Sequence, residues 1–455
     1  MKVEKSLLFL PFIPHTSTFI PQEMNRTLYL QVLIASESSP LLTEADVLVE
    51  NDRIVAVEKQ LNPEGSYTAV EGRGLVMMPG LFDIHVHARE PGFEYKENIE
   101  SCAWAAANGG VTGIVMMPNT SPALDSGNAI KAVLDTAKRV SPIAVYTTGC
   151  ITKGRAGVEL AGIAGMKAQG VVMITDDGDP VENAQVLRLA MEYAKNFDLP
   201  LASHCEVKSM SAGTSMNEGR VSNSLGLKGV PACSEEICLD RDIRLAQFTG
   251  AHVHIQHVTS KRGMDTIRRF KAEGVKVTCE VAPHHLLFTE EDIGEYDTHY
   301  KMNPPLRTKE DTEALLQGLI EGVFDVIATD HAPHSPFEKA QDFASAPNGI
   351  TGLETALPSL YDAFIRKGIF GWDLLVKRYS AEPRRLLGMP TMSIAAGQPA
   401  EFVLFDPAKK THFTKEFMRS KSQNTPFLNK EVQGLVTRVV FGGQTIIDRH
   451  TESQA

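Results

Sequence analysis

The sequence predicts an α/β protein built around a (β/α)8 barrel of the TIM type, with a small β-sandwich domain formed by both chain ends. Between residues 80 and 390, short apolar segments alternate with helical stretches, and eight of these segments have the composition of buried strands. Several helical stretches end in glycine just before the next apolar segment, as strand–helix repeats usually do. Eight units with buried parallel strands indicate a closed barrel. The predicted strands are residues 81–87, 112–117, 143–148, 171–175, 199–204, 253–257, 276–281 and 324–329.

The two ends of the chain have a different pattern, because apolar and polar side chains alternate there over short stretches. Alternation of this kind is typical of strands with one buried face. It occurs at residues 28–34, 45–50, 53–58, 399–405 and 435–448. The predicted division is an N-terminal extension over residues 1–24, a β-sandwich domain over residues 25–79 and 391–450, and a catalytic barrel over residues 80–390.

Length, charge and cysteine usage exclude several classes of protein. The 455 residues suffice for one large barrel and an accessory domain. A net charge of −11 without a long basic run argues against binding of nucleic acid. No apolar run of about 18 residues occurs, so no membrane span is expected. The six cysteines are scattered without a C-x-x-C pair, which predicts reduced thiols and a cytoplasmic location.

The most informative residues stand at the carboxyl ends of the predicted barrel strands, where barrels of this type carry their catalytic groups. Asp83, His85 and His87 alternate along the first strand and therefore point to one face. A single strand-end histidine or aspartate is more often a cap or a loop anchor, but here they occur at five ends. The set is His85 and His87, Asp176 and Asp177, His204, His257, and Asp330. Because imidazole and carboxylate are common ligands of divalent metals, the set predicts a metal centre.

Several motifs resemble those of a known enzyme family. They are HVHAREPG (85–92), MMPNT (116–120), TDDG (175–178), HIQHVTS (254–260), CEVAPHHLLFTEED (279–292), NPPLR (303–307) and ATDHAPH (328–334). Together they resemble the long bacterial type of the dihydroorotase family, which lies within the amidohydrolase superfamily. The resemblance covers roughly residues 28–448. The HxH pair alone marks only the superfamily, whereas HAREPG, MPNT and NPPLR are specific to the family.

The resemblance implies a centre with two zinc ions per chain. The implied ligands are His85, His87 and Asp330 for the first ion, and His204 and His257 for the second. In much of the superfamily a carboxylated lysine on the fourth strand bridges the two ions, but no lysine stands at that strand end here. The family pattern assigns the bridge to Asp177, whereas alternation along the strand leaves Asp176 equally open.

The reaction implied by the resemblance is the reversible cyclisation of N-carbamoyl-L-aspartate to L-dihydroorotate plus water, in de novo pyrimidine (UMP) biosynthesis. A hydroxide bridging the ions would act as nucleophile, with Asp330 as general acid and base. Arg89, two residues beyond His87, has a planar guanidinium that suits the substrate carboxylate that does not react. The other implied substrate contacts are Asn119, Asn303, His334, Asn348 and Gly349.

Two further functions are compatible with the same fold. Hydantoinases and allantoinases act on related cyclic amides, but they typically carry the fourth-strand lysine. A catalytically silent dihydroorotase-like subunit that scaffolds aspartate transcarbamoylase would usually have lost ligands, and here every ligand position is occupied. The resemblance also admits a homodimer and an aspartate transcarbamoylase partner. The polar segment 335–349, directly after the eighth strand, fits either a lid or a disordered insertion.

Overall fold

A computed structural model describes residues 25–449, so the expected extension over residues 1–24 lies outside the described residues. The strands are β1 Arg26–Ser36, β2 Ser39–Glu50, β3 Arg53–Glu58, β4 Thr68–Glu71, β5 Val76–Pro79, β6 Leu81–Val86, β7 Val111–Met116, β8 Ala144–Thr147, β9 Leu201–Ser203, β10 Met216–Asn217, β11 Gly229–Val230, β12 Val253–Ile255, β13 Val277–Val281, β14 Val326–Ile327, β15 Phe402–His412, β16 Glu431–Phe441 and β17 Gln444–Asp448.

The α-helices lie mainly between the strands of the barrel. They are α1 Ile99–Asn108, α2 Gly127–Val140, α3 Ile163–Ala168, α4 Ala184–Lys195, α5 Lys208–Ser211, α6 Arg220–Leu225, α7 Cys233–Thr249, α8 Lys261–Ala272, α9 Pro283–Leu287, α10 Lys309–Glu321, α11 Pro336–Lys339, α12 Ala356–Leu360, α13 Trp372–Val376 and α14 Glu382–Leu386. Short 3-10 turns (Lys153–Arg155, Glu290–Ile293, Thr298–Tyr300) and π-helical turns (Tyr361–Ile365, Lys377–Ala381) complete the set. Among the described helices, none is long and apolar enough to cross a membrane.

The central part of the chain closes into the expected parallel barrel. Strands β6, β7 and β8 pair in parallel on one side, and β9, β12, β13 and β14 on the other. Ile174 joins the two groups through parallel bridges to Gly149 and Leu201, and Val86 bridges His331 where the barrel closes. The predicted fold class is therefore confirmed.

The fourth predicted strand, residues 171–175, is shorter in the structure than the sequence indicates. Only Ile174 forms bridges on both sides, although the amide of Thr175 still donates to the carbonyl of Gly149. The segment follows a tight turn at Gly170, where φ is +100°, and the amide of Val171 donates back to Met166 in α3. Since the first residues are held by the preceding turn, few remain to pair along the barrel.

The barrel interior is apolar at one end and polar at the other. The amino-terminal part of the interior is filled by Phe82, Ile84, Val115, Val326 and Ala328. Every residue of β6 and β7 is buried, because helices cover their outer face. The carboxyl ends of the strands instead carry the histidine and aspartate side chains, so the chemistry is confined to one rim.

Both chain ends contribute to one accessory sheet beside the barrel, in the order β17-β16-β15-β5-β1-β2-β3, with β4 paired to β1. Antiparallel pairing of β15 with β5 joins the C-terminal strands to the N-terminal ones. Tyr29, Val47, Met77, Phe402 and Leu404 form part of its separate apolar core. The expected β-domain built from both ends is thus present, with its strands hydrogen-bonded into a single continuous sheet.

Candidate metal centre

Six predicted ligands from five strand ends meet on one rim of the barrel. His85 is the penultimate residue of β6 and His87 follows the strand, whereas Asp330 follows the short β14. Asp177 follows the bridge at Ile174, and His204 and His257 follow β9 and β12. All six side chains are buried. The parallel direction of the strands brings their carboxyl ends together, so residues far apart in sequence become neighbours.

The first group of ligands surrounds His85. Its Nε2 atom lies 3.4 Å from Asp177 Oδ1 and 3.4 Å from Asp330 Oδ1. His87 Nε2 lies 2.9 Å from the same Asp330 oxygen and 3.5 Å from Asp177 Oδ2. The donor atoms of His85, His87 and Asp330 are close enough together to hold one ion. Two imidazoles and a carboxylate suit zinc, which usually has about four ligands drawn from histidine nitrogen, carboxylate oxygen and cysteine sulfur.

The second group lies on the other side of Asp177. His204 Nδ1 is 2.9 Å from His257 Nε2, and these atoms lie 3.9 Å and 4.0 Å from Asp177 Oδ1. Asp177 Oδ1 and His85 Nε2 are buried and have no hydrogen-bond partner in the described part of the chain. Unpaired buried polar atoms are costly, so their convergence fits a bound cation. The residues around Asp177 therefore fit the binding of a divalent cation.

The electrostatics of the rim favour ionised carboxylates. Burial would raise the pKa of Asp177, but the imidazoles of His85 and His87 outweigh it and hold that pKa well below its ordinary value. Burial would also raise the pKa of Asp330, but His85 and His87 outweigh it and lower that pKa below its ordinary value. Burial lowers the pKa of His257 to about 3. At neutral pH the two carboxylates are therefore ionised and His257 is neutral. Burial would lower the pKa of His85, but Asp330, Glu280 and Asp177 outweigh it and raise that pKa well above its ordinary value, so His85 must release a proton when it binds a cation.

Next to this centre lies a group of cationic side chains that suits an anionic substrate. Arg89 is partly buried. Its Nη2 lies 3.4 Å from His334 Nε2, and its Nε donates to the carbonyl of Pro333 at 3.1 Å. Lys96 Nζ lies 3.3 Å from the other ring nitrogen of His334 and 2.8 Å from Glu338. Burial, together with the charges of Arg89 and Lys96, lowers the pKa of His334 to about 2. The neutral imidazole therefore stands between two cations, and Lys96 is a member of this group that the sequence motifs did not reveal.

The remaining predicted substrate contacts border the same rim. Asn119 lies against two predicted metal ligands, with Oδ1 2.9 Å from His87 Nδ1 and Nδ2 3.3 Å from Asp177 Oδ2. Asn303 Nδ2 lies 3.3 Å from His204 Nε2. Asn303 and Asn348 line a cavity of about 310 Å³. A Cβ atom on Gly349 would lie only 2.5 Å from the carbonyl oxygen of Ala332 and 2.6 Å from His334 Cδ2, so this close approach requires glycine.

Comparison with known proteins identifies the family. A family described as "Dihydro-orotase-like" matches residues 74–263. The dihydroorotase of Desulforapulum autotrophicum is 44% identical over 408 residues, which are 89% of this chain and 95% of that protein. The dihydroorotase of Aquifex aeolicus is 43% identical over 414 residues, covering 91% of this chain and 97% of that protein. The chain belongs to the dihydroorotase family.

Two solved structures share the fold of this dihydroorotase-family chain. The L-hydantoinase of Arthrobacter aurescens superposes with a TM-score of 0.84 at 22% identity, covering 94% of this chain and 96% of that one. The dihydropyrimidinase of Brevibacillus agri gives a TM-score of 0.81 at 22% identity, with coverages of 93% and 95%. At such low identity the likeness concerns the fold. The resemblance to the dihydroorotase family is confirmed by the much closer sequence relatives.

The two adjacent aspartates after the fourth strand position have different surroundings in this dihydroorotase-family chain. Asp176 Oδ1 accepts from the amides of Ile151 at 2.8 Å and Thr152 at 3.1 Å, and its Oδ2 accepts from the hydroxyl of Thr152. Burial raises the pKa of Asp176 to about 6. Its carboxylate is therefore committed to the loop after β8, whereas Asp177 faces His85 and His87.

Two acidic residues that were not among the predicted site residues contact the predicted histidine ligands. Glu280 Oε1 lies 2.5 Å from His85 Nδ1, and its Oε2 lies 3.0 Å from His254 Nε2. Glu206 Oε2 lies 3.2 Å from His204 Nε2. A carboxylate on the far nitrogen of a metal-binding histidine fixes the tautomer and the ring orientation. Glu280 could have been found as a charge inside a buried strand, whereas Glu206 gives no such signal.

Backbone strain is concentrated at the same rim. Arg89, His257 and Asp330 have backbone φ angles of +62°, +30° and +46°, which residues other than glycine rarely adopt. Such conformations cost of the order of 1–3 kcal/mol each and persist where surrounding structure imposes them. Two predicted metal ligands and the predicted carboxylate contact therefore lie in strained backbone, which is common at functional sites.

Other histidines near the rim have partners of their own. His331 Nδ1 accepts from the amide of Gly352 at 3.2 Å, and its carbonyl accepts from the amide of His87. His285 Nε2 donates to the carbonyl of Pro304 at 3.0 Å. These contacts attach both imidazoles to the loops around the rim, whereas His331 Nε2 and His285 Nδ1 are buried without a hydrogen-bond partner in the described part of the chain.

The segment 335–349 is folded onto the barrel. It begins with α11, capped by Ser335, and it buries Phe343 and Ala346. The ammonium group of Lys339 donates to the carbonyls of Pro347 and Gly349. This arrangement differs from a disordered insertion, and the lid role stays a prediction.

Proposed function

We propose that this chain, a cyclic amidohydrolase of the dihydroorotase family, interconverts N-carbamoyl-L-aspartate and L-dihydroorotate plus water in the de novo synthesis of pyrimidines. The observation that carries the proposal is the position of Asp177 between two groups of histidines, beside a cationic pocket. The arrangement of Asp177 and the histidines supports a pair of divalent ions, and the cationic pocket supports a small anionic substrate. Zinc is the proposed metal, because imidazole and carboxylate ligands suit it.

Two ions held by these ligands would lower the pKa of a water molecule and polarise the carbonyl under attack. Asp330, which lies 2.9 Å from His87 Nε2, is the proposed proton carrier. In ring opening, its ionised carboxylate accepts the proton of the attacking water and delivers it to the ring nitrogen as the carbon–nitrogen bond breaks. In ring closure, the carbamoyl nitrogen attacks the side-chain carboxyl carbon and gives up its proton to Asp330. The same carboxyl passes the proton to the departing hydroxyl, which leaves as water.

The side chains around His334 orient the substrate for this step. Arg89 offers a planar pair of donors to the carboxylate that does not react. Asn119, Asn303 and the backbone at Asn348 and Gly349 are the proposed contacts to the rest of the ligand. Because these contacts would hold the substrate at a fixed distance from Asp330, proton transfer would become an intramolecular step with a lower entropic barrier.

An assay in both directions tests the proposal directly. Purified protein should hydrolyse dihydroorotate and cyclise N-carbamoyl-L-aspartate, and elemental analysis should find close to two equivalents of zinc. Removal of the metal with a chelator should abolish both activities, and added zinc should restore them. Turnover of hydantoin or dihydrouracil in preference to dihydroorotate would instead establish a hydantoinase. Inactivity toward all these substrates with metal bound would favour a silent subunit.

Substitution of Arg89 by methionine is expected to lower kcat/KM by roughly 30- to 1,000-fold, because methionine cannot form the charge-assisted bidentate contact. Steady-state kinetics with dihydroorotate measure the effect, and elemental analysis should find the metal content unchanged. Arg438→Met serves as the control, since it removes a buried arginine that pairs with Asp448 in the accessory sheet. Normal turnover by the Arg89 variant would place the carboxylate pocket elsewhere.

The assembly and location of the protein follow from the family resemblance alone. We propose a cytoplasmic homodimer and an association with aspartate transcarbamoylase. Sedimentation of the chain by itself, and then mixed with that enzyme, tests the two associations separately.

A further inference from the structure

The accessory domain sends one connection over the rim of the barrel. Residues 413–430, between β15 and β16, leave the sheet and run across the loops that surround the site. The hydroxyl of Ser422 donates to the carbonyl of Lys96 at 2.7 Å. Asn424 lies two residues further on, buried with 2% of its surface exposed. A residue that belongs to the β-domain in sequence therefore lies beside the catalytic rim in space.

Asn424 contacts the two loops that carry His334 and Gly349. Its Oδ1 accepts from the amide of His334 at 3.0 Å. Its Nδ2 donates to the carbonyl of Ala332 at 3.0 Å and to that of Gly349 at 2.9 Å. Its own carbonyl accepts from the amide of Thr351 at 3.0 Å. A single side chain and its backbone thus connect one loop after β14 to another before α12.

The orientation of the amide is fixed by its partners. Backbone amides can only donate and backbone carbonyls can only accept, so Oδ1 must face His334 and Nδ2 must face the two carbonyls. Both hydrogens of Nδ2 are used, and no other side chain of similar size supplies one acceptor and two donors in this geometry. The chemistry at position 424 therefore requires asparagine.

The two connected loops are packed too closely to be placed independently. A Cβ on Gly349 would meet the carbonyl of Ala332 and the ring of His334. The buried ammonium of Lys339 holds the carbonyl of Gly349 from another direction at 3.1 Å. The amide of Ala332 donates to the carbonyl of Ile350 at 2.9 Å. A shift of one loop therefore displaces the proposed substrate contacts of the other.

We propose that Asn424 is a positioning residue for the substrate, fixing the loop of residues 332–334 against that of residues 349–351 so that His334 and Gly349 bind it together. The inference rests on the proposed function for its substrate, although the loop contacts do not. Asn424 has no contact with the six metal ligands among its hydrogen bonds. It is therefore expected to act on substrate binding rather than on the metals.

Asn424→Asp is the sharpest variant, because it keeps the acceptor for His334 and places an oxygen against two carbonyls. Asn424→Ala is the second variant, and it removes the side-chain hydrogen bonds without adding a buried charge. Either should raise KM for dihydroorotate about tenfold while kcat changes less than about threefold, since the positioned loops bind substrate and transition state alike. Zinc content should stay at the wild-type value.

Thr425→Val is the matched control, because Thr425 is equally buried and its hydroxyl accepts from the amide of Phe427 within the same connection. It should leave KM and kcat within about twofold of wild type. Combining Asn424→Ala with Arg89→Met should give less than the product of the single effects on KM, because both act through the carboxylate pocket. Unchanged KM, loss of zinc, or strictly multiplicative effects would overturn the assignment.

Hydrogen–deuterium exchange tests the same inference without any substrate. The amides of His334 and Thr351 should exchange faster in the zinc-bound Asn424→Ala protein than in the wild type, whereas the Thr425→Val protein should match the wild type. If the wild type turned over neither substrate, the proposed function would fail while this measurement still decided the role of Asn424. Unaltered exchange at both amides would overturn the positioning role, whatever the activity.

Discussion

Asp330→Asn is expected to slow ring opening and ring closure alike, by at least about 10²-fold in kcat. The variant keeps an oxygen where His85 and His87 converge, but that oxygen can no longer take up a proton. Because one group is proposed to carry the proton in both directions, its loss should slow both reactions. Initial rates with dihydroorotate and with N-carbamoyl-L-aspartate, each at saturating zinc, measure the two losses.

The interpretation of that variant depends on intact metal binding. Elemental analysis should still find two zinc equivalents, since an amide oxygen remains a ligand. Loss of zinc along with activity would show that Asp330 acts chiefly as a ligand. Retention of one direction near the wild-type rate would assign the proton to another group, and His334, beside Arg89, would be the first residue to substitute.

The fold and the ligand set could be predicted from sequence for the same physical reason. Apolar strands separated by helices bury both of their faces only in a parallel sheet that is closed or covered by helices on both sides. In such a barrel the parallel strands bring all their carboxyl ends to one rim. His85, His204, His257 and Asp330 stand at or near such ends and converge in the structure. No knowledge of the loops was needed for this step.

The choice between Asp176 and Asp177 shows where the sequence pattern loses its power. Alternation assigns faces only along a paired strand, and here pairing is limited to Ile174. Beyond it the chain direction depends on the loop after β8, whose amides at Ile151 and Thr152 hold Asp176. That contact joins residues about 25 positions apart, which no local pattern reveals.

Asn424 and Glu280 were missed for different reasons. Glu280 is a charged residue within the buried strand β13, and a search for charges in apolar strands would have found it. Asn424 lies in a polar connection between two strands of another domain, where asparagine is common. Its 90-residue separation from His334 is bridged only by the docking of the accessory sheet on the barrel. Such a contact depends on tertiary structure alone.

The paired variants Asp177→Ala and Asp176→Ala should separate a metal ligand from its structural neighbour. The two residues are adjacent, and each is 3% exposed, so loss of either removes a buried carboxylate. Asp177→Ala is expected to lower the zinc content below one equivalent and the activity by more than about 100-fold. Loss of a residue that only hydrogen-bonds a metal ligand typically costs about 10- to 100-fold, so a larger loss would indicate a ligand. Both ions should be affected, because Asp177 lies between the two histidine groups.

Asp176→Ala should have the opposite profile. It leaves the amides of Ile151 and Thr152 without their acceptor, and each buried donor left unpaired costs about 1–3 kcal/mol. Its thermal midpoint should therefore fall, while zinc stays near two equivalents and kcat stays within a few-fold of wild type. Elemental analysis, calorimetry and steady-state kinetics on the two proteins decide the question. If Asp177→Ala kept both ions while Asp176→Ala lost them, the bridge would belong to Asp176, and the orientation of the two carboxylates in the structure would be wrong.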